Sequence, residues 1–261
     1  MSLVSVLICT FNRRDLVCRA IDSALQQKNI DVEVIVVDDM STDGTFELLS
    51  KKYENKIKLF GAPNKMFVAQ ATNFARTKAT GDYIALLGDD DFWNDKQKLS
   101  DQIQLMKAAK ADICGTFWQE IAGEITLCVK KPKTSHDLVE LVLTGGGVVC
   151  GSTAVIYTKV WDRHGGLDER LHRGTDSDLV RKIIVNNGTL TTLERITTFV
   201  DVGHSGPRMT NKRGIDAALK NLQSHSRILW KYKQFYCTKP KALLYRIKYL
   251  LAGLIRPIIG W

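Results

Sequence analysis

The sequence predicts an α/β fold with a mostly parallel sheet flanked by helices, and three observations carry that expectation. Short β-branched apolar runs alternate with segments whose apolar residues recur at helical spacing. The runs are apolar at nearly every position, as strands covered on both faces are. Polar and acidic residues gather just after the runs, at the edge where open α/β sheets bind ligands.

The elements follow in order. "LVSVLIC" (3–9) predicts a first strand, and 14–27 a helix carrying Leu16, Val17, Ala20, Ile21, Ala24 and Leu25 on one side. "VEVIVVDD" (32–39) is a second strand ending in acids, with Ser41 as the cap of the helix that follows. "KIKLFG" (56–61) predicts a strand, 65–79 a helix, and "GDYIALLGD" (81–89) a fourth strand. A helix is expected to start at Trp93, followed by the strand-like "ADICGTF". Beyond residue 120 the rhythm loosens: "EITLCVKKP" is an edge strand or hairpin arm, and "LTGGGVVCG" (143–151) is a glycine-rich turn. A strand, a loop, a helix over "DSDLVRKIIVNNG" and a long strand over "TTLERITTFVDV" complete this part, and helices follow residue 212.

Composition bounds the function. With 261 residues, 44% hydrophobic and 25% charged, the chain can bury one large α/β core. The six cysteines form no CxxC pair, so a disulfide scaffold or structural zinc site is not expected. "MSLVSVLICTFNRRD" lacks the basic start of a signal peptide, and no apolar run reaches spanning length, so a cytoplasmic protein is expected. The net charge of +9 is uneven: residues 212–261 carry eleven Lys or Arg against the single acid Asp216. Zinc-finger, ribonucleoprotein and GXXG motifs are missing, which argues against nucleic acid. In 239–261 the cations Lys241, Arg246, Lys248 and Arg256 can ring a stripe of Leu243, Leu244, Ile247, Leu250, Leu251 and Leu254. That pattern suits an interfacial helix on an anionic membrane, with packing on the domain or in a dimer as the other reading. The oligomeric state stays open.

Four clusters carry chemistry. Asp89, Asp90 and Asp91 follow the buried run "YIALL", where three adjacent acids are costly without a counter-ion, and a divalent cation with phosphate oxygens would supply it. Asp38 and Asp39 end the second strand and can accept from a base or ribose, although Ser41, Asp43 and Gly44 also make an ordinary turn. Asp176 and Asp178 head a helix, where one can cap and the other act as general base toward a hydroxyl. His204 lies in a Gly-, Ser- and Pro-rich loop and can complete a metal shell or bind phosphate, as can Arg208. The glycines of 143–151 match no phosphate-cradling motif and suit a close backbone approach to a sugar.

Taken in order, "VSVLICTFNR", "VEVIVVDDMSTDGT", "GAPNKMFVAQATNFARTKATGDYIALLGDDD" and "RGTDSDLVRKI" resemble the family 2 glycosyltransferases of the GT-A fold. The resemblance covers about residues 3–208, so a GT-A domain is expected over 1–211, followed by the segment over 212–261 that charge and spacing mark as helical, basic and amphipathic. It implies inverting transfer of a sugar from a nucleotide-sugar, usually a UDP-sugar, with Mn2+ or Mg2+ as cofactor. Thr10, Asn12 and Arg13 are then expected near the nucleotide, Asp38 and Asp39 at uracil or ribose, and Asp89 at ribose or the metal shell. Asp91 is the expected metal ligand, with Asp90 between the two, and Asp176 the base, while His204 falls where some members add a metal or diphosphate contact. Two departures stand out: Met66 replaces a frequent glycine, with Lys65 in reach of a phosphate, and Thr175 replaces a frequent glutamate. The basic tail beside such a domain points to a glycan or lipid-linked acceptor of lipopolysaccharide or capsule type at the inner face of the cell membrane. The rival readings are a nucleotidylyltransferase and a non-catalytic, membrane-associated sugar-binding protein. The first would want a glycine-rich basic loop where "CTFNRRD" stands, and the second would have lost Asp91 or Asp176.

Overall fold

The computed structural model describes residues 2–145, 147–203 and 214–259, the stretch 255–259 in backbone only. The first half alternates as the sequence predicts: β1 (Leu3–Thr10), α1 (Arg14–Leu25), β2 (Asp31–Asp38), α2 (Thr45–Lys52), β3 (Lys58–Gly61), α3 (Val68–Thr77) and β4 (Tyr83–Leu86). Then come β5 (Phe92–Trp93), α4 (Lys98–Ala109), β6 (Ile113–Ala122), β7 (Ile125–Lys130), α5 (Leu138–Thr144), a 3-10 turn (Gly151–Thr153), β8 (Val155–Tyr157) and α6 (Thr158–Arg163). The chain continues through α7 (Thr175–Val185), β9 (Leu190–Asp201), α8 (Ile215–Lys231), α9 (Lys233–Cys237) and α10 (Pro240–Ile259).

The described strands form one sheet in the order β3-β2-β1-β4-β8-β6-β9-β5, with β7 paired to β6. β3, β2, β1 and β4 are parallel, β8 is antiparallel to both its neighbours, and β6 and β9 are parallel again. Pairing of Thr10 with Asp38 and of Leu7 with Leu86 brings the ends of β1, β2 and β4 to one edge. β1 shows why its run is continuous: Leu7 faces one core layer with Ala69, Leu143 and Ile183, while Val4, Val6 and Ile8 face the other with Ile21, Leu99 and Met106.

Three local expectations are corrected. Trp93 begins no helix. It pairs with Thr198 as part of β5, donates through its indole N–H to Ser152 O at 2.8 Å, and accepts its place in the core from both. The helix starts five residues later, after Asp95 takes the Gln97 amide at 2.8 Å. Ser41 does not cap α2. Gly44 stands there in the left-handed region (φ 81°), and Ser41 serves the β2 loop instead. Helix α5, in a stretch that suggested a glycine-rich turn, a strand and a loop but no helix, is capped by Asp137, which accepts from the Glu140 amide at 2.8 Å.

The C-terminal helices pack on this core. Ile228, Tyr232, Tyr236 and Ala242 belong to the same apolar cluster as Leu143, Leu179 and Ile183. Arg246, expected at the rim of an exposed stripe, is instead only 3% exposed, because it lies on the inner side of α10. Leu243 packs against the core, while Leu244, Ile247 and Leu251 face outward. Among the described residues no helix is long and apolar enough to cross a membrane.

Candidate active site

The parallel edge opens into a cavity of about 550 Å³. Its lining brings Arg13, Asp89, Asp90 and Asp91 to the same space as Thr175 and Asp176, with Glu120 from β6 on the far wall. Residues 86 positions apart thus face one volume because β4 ends beside the 3-10 turn, and that turn touches the head of α7.

The acid triplet is built by the turn after β4. Asp89 and Asp91 are buried and Asp90 is partly exposed. Arg13, from the β1–α1 loop, donates to Asp89 Oδ1 at 2.5 Å and to Asp90 Oδ2 at 2.9 Å. Burial pushes the Asp89 carboxyl up to about 6, against the pull of the Arg13 guanidinium. Burial, reinforced by the charge of Asp90, pushes Asp91 up to about 7. Asp91 is oriented from two sides: Oδ2 accepts from the Ser152 hydroxyl, and Oδ1 accepts from the Asp201 amide at 3.2 Å. Arg19 closes the back of this group, donating to Asp90 O at 2.8 Å and to Asp201 Oδ2 at 2.9 Å while its guanidinium stacks over Phe92.

Asp176 and Asp178, two positions apart, separate completely. α7 starts after Gly174 (φ 65°), and no side chain caps it. Asp176 lines the cavity, half-buried, and among the described residues nothing hydrogen-bonds its carboxylate. Asp178 is fully buried on the other side, where Lys231 Nζ (2.5 Å), Tyr232 OH (2.9 Å) and Arg181 (3.3 Å) all donate to it. One acid faces the cavity and the other anchors α8.

At the nucleotide end the expected residues gather, with much of their bonding local. Thr10 is buried at the end of β1, and its carbonyl accepts the Asp39 amide at 2.8 Å. Asn12 (φ 52°) ties two loops together: its amide donates to Ser41 Oγ at 2.9 Å and its Oδ1 accepts from Thr42 N at 2.8 Å. Both Asp38 oxygens accept from Ser41. Lys65 pairs with Asp39 Oδ2 at 3.0 Å and covers the Phe11 ring, and Asp39 Oδ1 accepts from the Met66 amide at 2.6 Å. The lysine expected to reach a phosphate is thus held by Asp39. His204 and Arg208 lie outside the described residues.

Sequence reasoning missed Ser152, Glu120, Arg19 and Asp201, and it gave Gly151 only as part of a glycine-rich turn. None sits in a recognisable motif, and each arrives through long-range pairing. Gly151 carries a steric signal: a Cβ there would stand 2.9 Å from Asp176 Oδ2. Among the described residues no three His, Cys, Asp or Glu converge on a common metal position.

The sequence profile described as glycosyl transferase family 2 matches residues 5–166. The chain is 36% identical over 110 residues to the UDP-Glc:alpha-D-GlcNAc-diphosphoundecaprenol beta-1,3-glucosyltransferase WfaP of Escherichia coli, covering 42% of this chain and 43% of that protein. It is 38% identical over 106 residues to the putative teichuronic acid biosynthesis glycosyltransferase TuaG of Bacillus subtilis, covering 40% and 42%. The aligned stretch therefore spans less than half the length of these relatives. In fold the chain is similar to S. aureus TarS in complex with UDP-GlcNAc, at a TM-score of 0.70 and 20% identity over 88% of this chain and 67% of that one. It is also similar to the mannosyltransferase PcManGT of Pyrobaculum calidifontis in complex with GDP-Man and Mn2+, at 0.65 and 20%, over 96% and 74%. These neighbours share the GT-A sheet described above, and the profile runs through the strands that build the cavity: the chain belongs to glycosyl transferase family 2.

Proposed function

We propose that this glycosyltransferase is metal-dependent and inverting, and moves a sugar from a nucleotide-sugar, a UDP-sugar first among them, to a hydroxyl of a glycan or lipid-linked acceptor in cell-surface polysaccharide synthesis. The observation that carries the reading is the single cavity shared by Asp176, without a bonding partner among the described residues, and the Asp89–Asp91 acids. The relatives support the substrate class: one is named for a lipid-diphosphate acceptor, another for teichuronic acid.

The donor set fits a divalent cation. Asp91 is a carboxylate fixed from two sides, and burial raises both it and Asp89, so a cation would relieve an electrostatic cost already present. One carboxylate is enough for Mg2+ or Mn2+ when phosphates and water supply the other ligands, which agrees with the lack of a three-residue cluster among the described residues. When bound, the ion would offset the charge developing on the diphosphate. Asp91 would hold that ion, with Asp89 in support. Arg13 pairs with Asp89 and Asp90 and would turn toward the donor phosphates when they bind. Asp176 would take the proton of the acceptor hydroxyl as its oxygen bonds to the anomeric carbon and the bond to the nucleotide diphosphate breaks. A single displacement of this kind inverts the centre and needs no sugar–enzyme bond. Peripheral contact of the basic C-terminal helices with an anionic membrane at its cytoplasmic face would bring a lipid-linked acceptor within reach.

The test is a nucleotide-sugar screen with and without Mn2+ or Mg2+, followed by the best donor with Asp176→Asn. Transfer should fall by on the order of 10²–10⁴-fold while UDP still binds. Turnover near the unmodified rate would remove Asp176 from the mechanism.

A further inference from the structure

Behind Asp176, on the side of α7 away from the acid triplet, cations meet without matching acids. Arg246 of α10 is 3% exposed and makes no hydrogen bond to any described residue, and its Nε is a buried donor without a partner. Its guanidinium lies against Gly145 at the end of α5, where a Cβ would stand 3.0 Å from an Arg246 nitrogen. His225 of α8 has a buried, unpartnered Nδ1. Arg173, three residues before Asp176, reaches the same helix and donates to Asn221 Oδ1 at 2.9 Å. Asp178 is the acid in this region that acts on Arg246, and it is already bonded by Lys231, Tyr232 and Arg181.

A buried guanidinium without a partner carries an uncompensated desolvation cost, which a bound anion would relieve. Cations outweigh acids around His225: burial, then the charges of Arg246, Arg173 and Arg181, hold it down at about 4. Burial and Arg181 lower Arg246 itself to about 10. Gly145, Arg173 and His225 are half-buried, which leaves the group within reach of solvent. The same helix turns Leu244, Ile247 and Tyr249 outward, and the Tyr249 ring borders Gly145. An anion here would sit beneath an apolar surface.

We propose that Arg246, Arg173 and His225 form a second anion site, separate from the Asp89–Asp91 edge, that takes the phosphate or diphosphate group of a lipid-linked acceptor. Assignment to the acceptor rests on the glycosyl-transfer reading, whereas the anion site itself does not. Phosphate oxygens supply the acceptors that Arg246 Nε and His225 Nδ1 lack, and a bidentate guanidinium contact fixes orientation.

The experiment is calorimetric titration with inorganic pyrophosphate and with farnesyl diphosphate, in EDTA and without donor. The unmodified protein should bind both, and farnesyl diphosphate at least tenfold more tightly. Arg246→Met and Arg173→Gln should each lose tenfold or more in affinity, while Lys51→Gln, on the exposed face of α2, stays within twofold. If Arg246→Met fails to fold, Arg173→Gln still decides. Unchanged binding in the folded variants, or an equal loss in Lys51→Gln, overturns the site. Equal affinity for the two ligands overturns the assignment to a lipid-linked acceptor. Because neither metal nor sugar donor is present, failure of the glycosyl-transfer reading would leave Arg246-dependent binding intact, so the two failures can be told apart.

Discussion

Gly151 leaves the room that the observed position of Asp176 requires. A methyl group at 151 would stand 2.9 Å from Asp176 Oδ2, inside van der Waals contact. The clashing atom is the end of a rotatable side chain, so the carboxylate should swing away and the fold survive. Gly151→Ala is therefore expected to keep its melting temperature within a few degrees, keep UDP affinity, and lose transfer by tenfold or more in kcat. An unaltered kcat would show that Asp176 need not point where it does. Lys98 offers a second residue-scale prediction. It is fully buried, donates to Gln102 Oε1 at 2.7 Å and lies over Trp93, and burial holds it down at about 7. Between pH 7 and its ordinary value of 10.5 the unfolded chain binds the proton and the folded chain does not. Stability from this group therefore rises with pH across that window, by up to about 1.4 kcal/mol per pH unit. Comparing denaturant midpoints of the unmodified protein and Lys98→Met from pH 7 to 9 should show the gap shift in favour of the unmodified protein as pH rises. Parallel curves would mean that Lys98 is charged in the folded state.

At the scale of elements, α8 is bolted to the helix that carries Asp176. Lys231 and Tyr232 donate to buried Asp178, and Arg227 and Lys231 also reach Asp168, whose carboxyl is lowered by those partners despite its burial. Lys231→Met leaves Asp178 with less compensation in a buried site and is expected to cost about 3 kcal/mol. Tyr232→Phe removes one neutral donor and should cost about 1–2 kcal/mol. Urea unfolding of both variants checks the order, and a smaller loss for Lys231→Met than for Tyr232→Phe would contradict it. Chemistry alone left open which of Asp176 and Asp178 caps and which acts, and only the family resemblance singled out Asp176. Their difference depends on which face of α7 meets α8, and no local pattern encodes that. The parallel strands and their acid-bearing ends were legible because periodicity and turn chemistry are local. β5, α5 and the Gly151–Thr153 turn were not, since each is held by partners far along the chain, such as Trp93 with Ser152 and Thr198. Arg246 was misplaced for the same reason: helical spacing shows that a residue shares a stripe, not which stripe is buried.

Over the whole molecule, charge and exposed apolar surface both concentrate toward the C-terminal end. Residues 212–261 hold eleven of the 37 basic residues and one of the 28 acids. Burial of Arg246 takes one cation out of that field, while Lys241 and Lys248 remain exposed. They flank Leu244 (68% exposed), Ile247 (41%) and Leu251 (51%) on α10. Apolar side chains of this kind contribute by insertion into the headgroup region, and each nearby lysine adds about 1 kcal/mol on an anionic surface. Neither contribution is strong alone, so binding should require both. Co-sedimentation with phosphatidylglycerol vesicles is expected at low salt, with little on phosphatidylcholine and a marked drop at about 0.5 M NaCl, where screening shortens the reach of charge to a few ångströms. Leu244→Glu combined with Leu251→Glu should abolish binding without unfolding, because both side chains already face solvent. Vesicle binding that ignores lipid charge, or that survives the double change, would detach this surface from the membrane and leave α10 as a packing element of the domain alone.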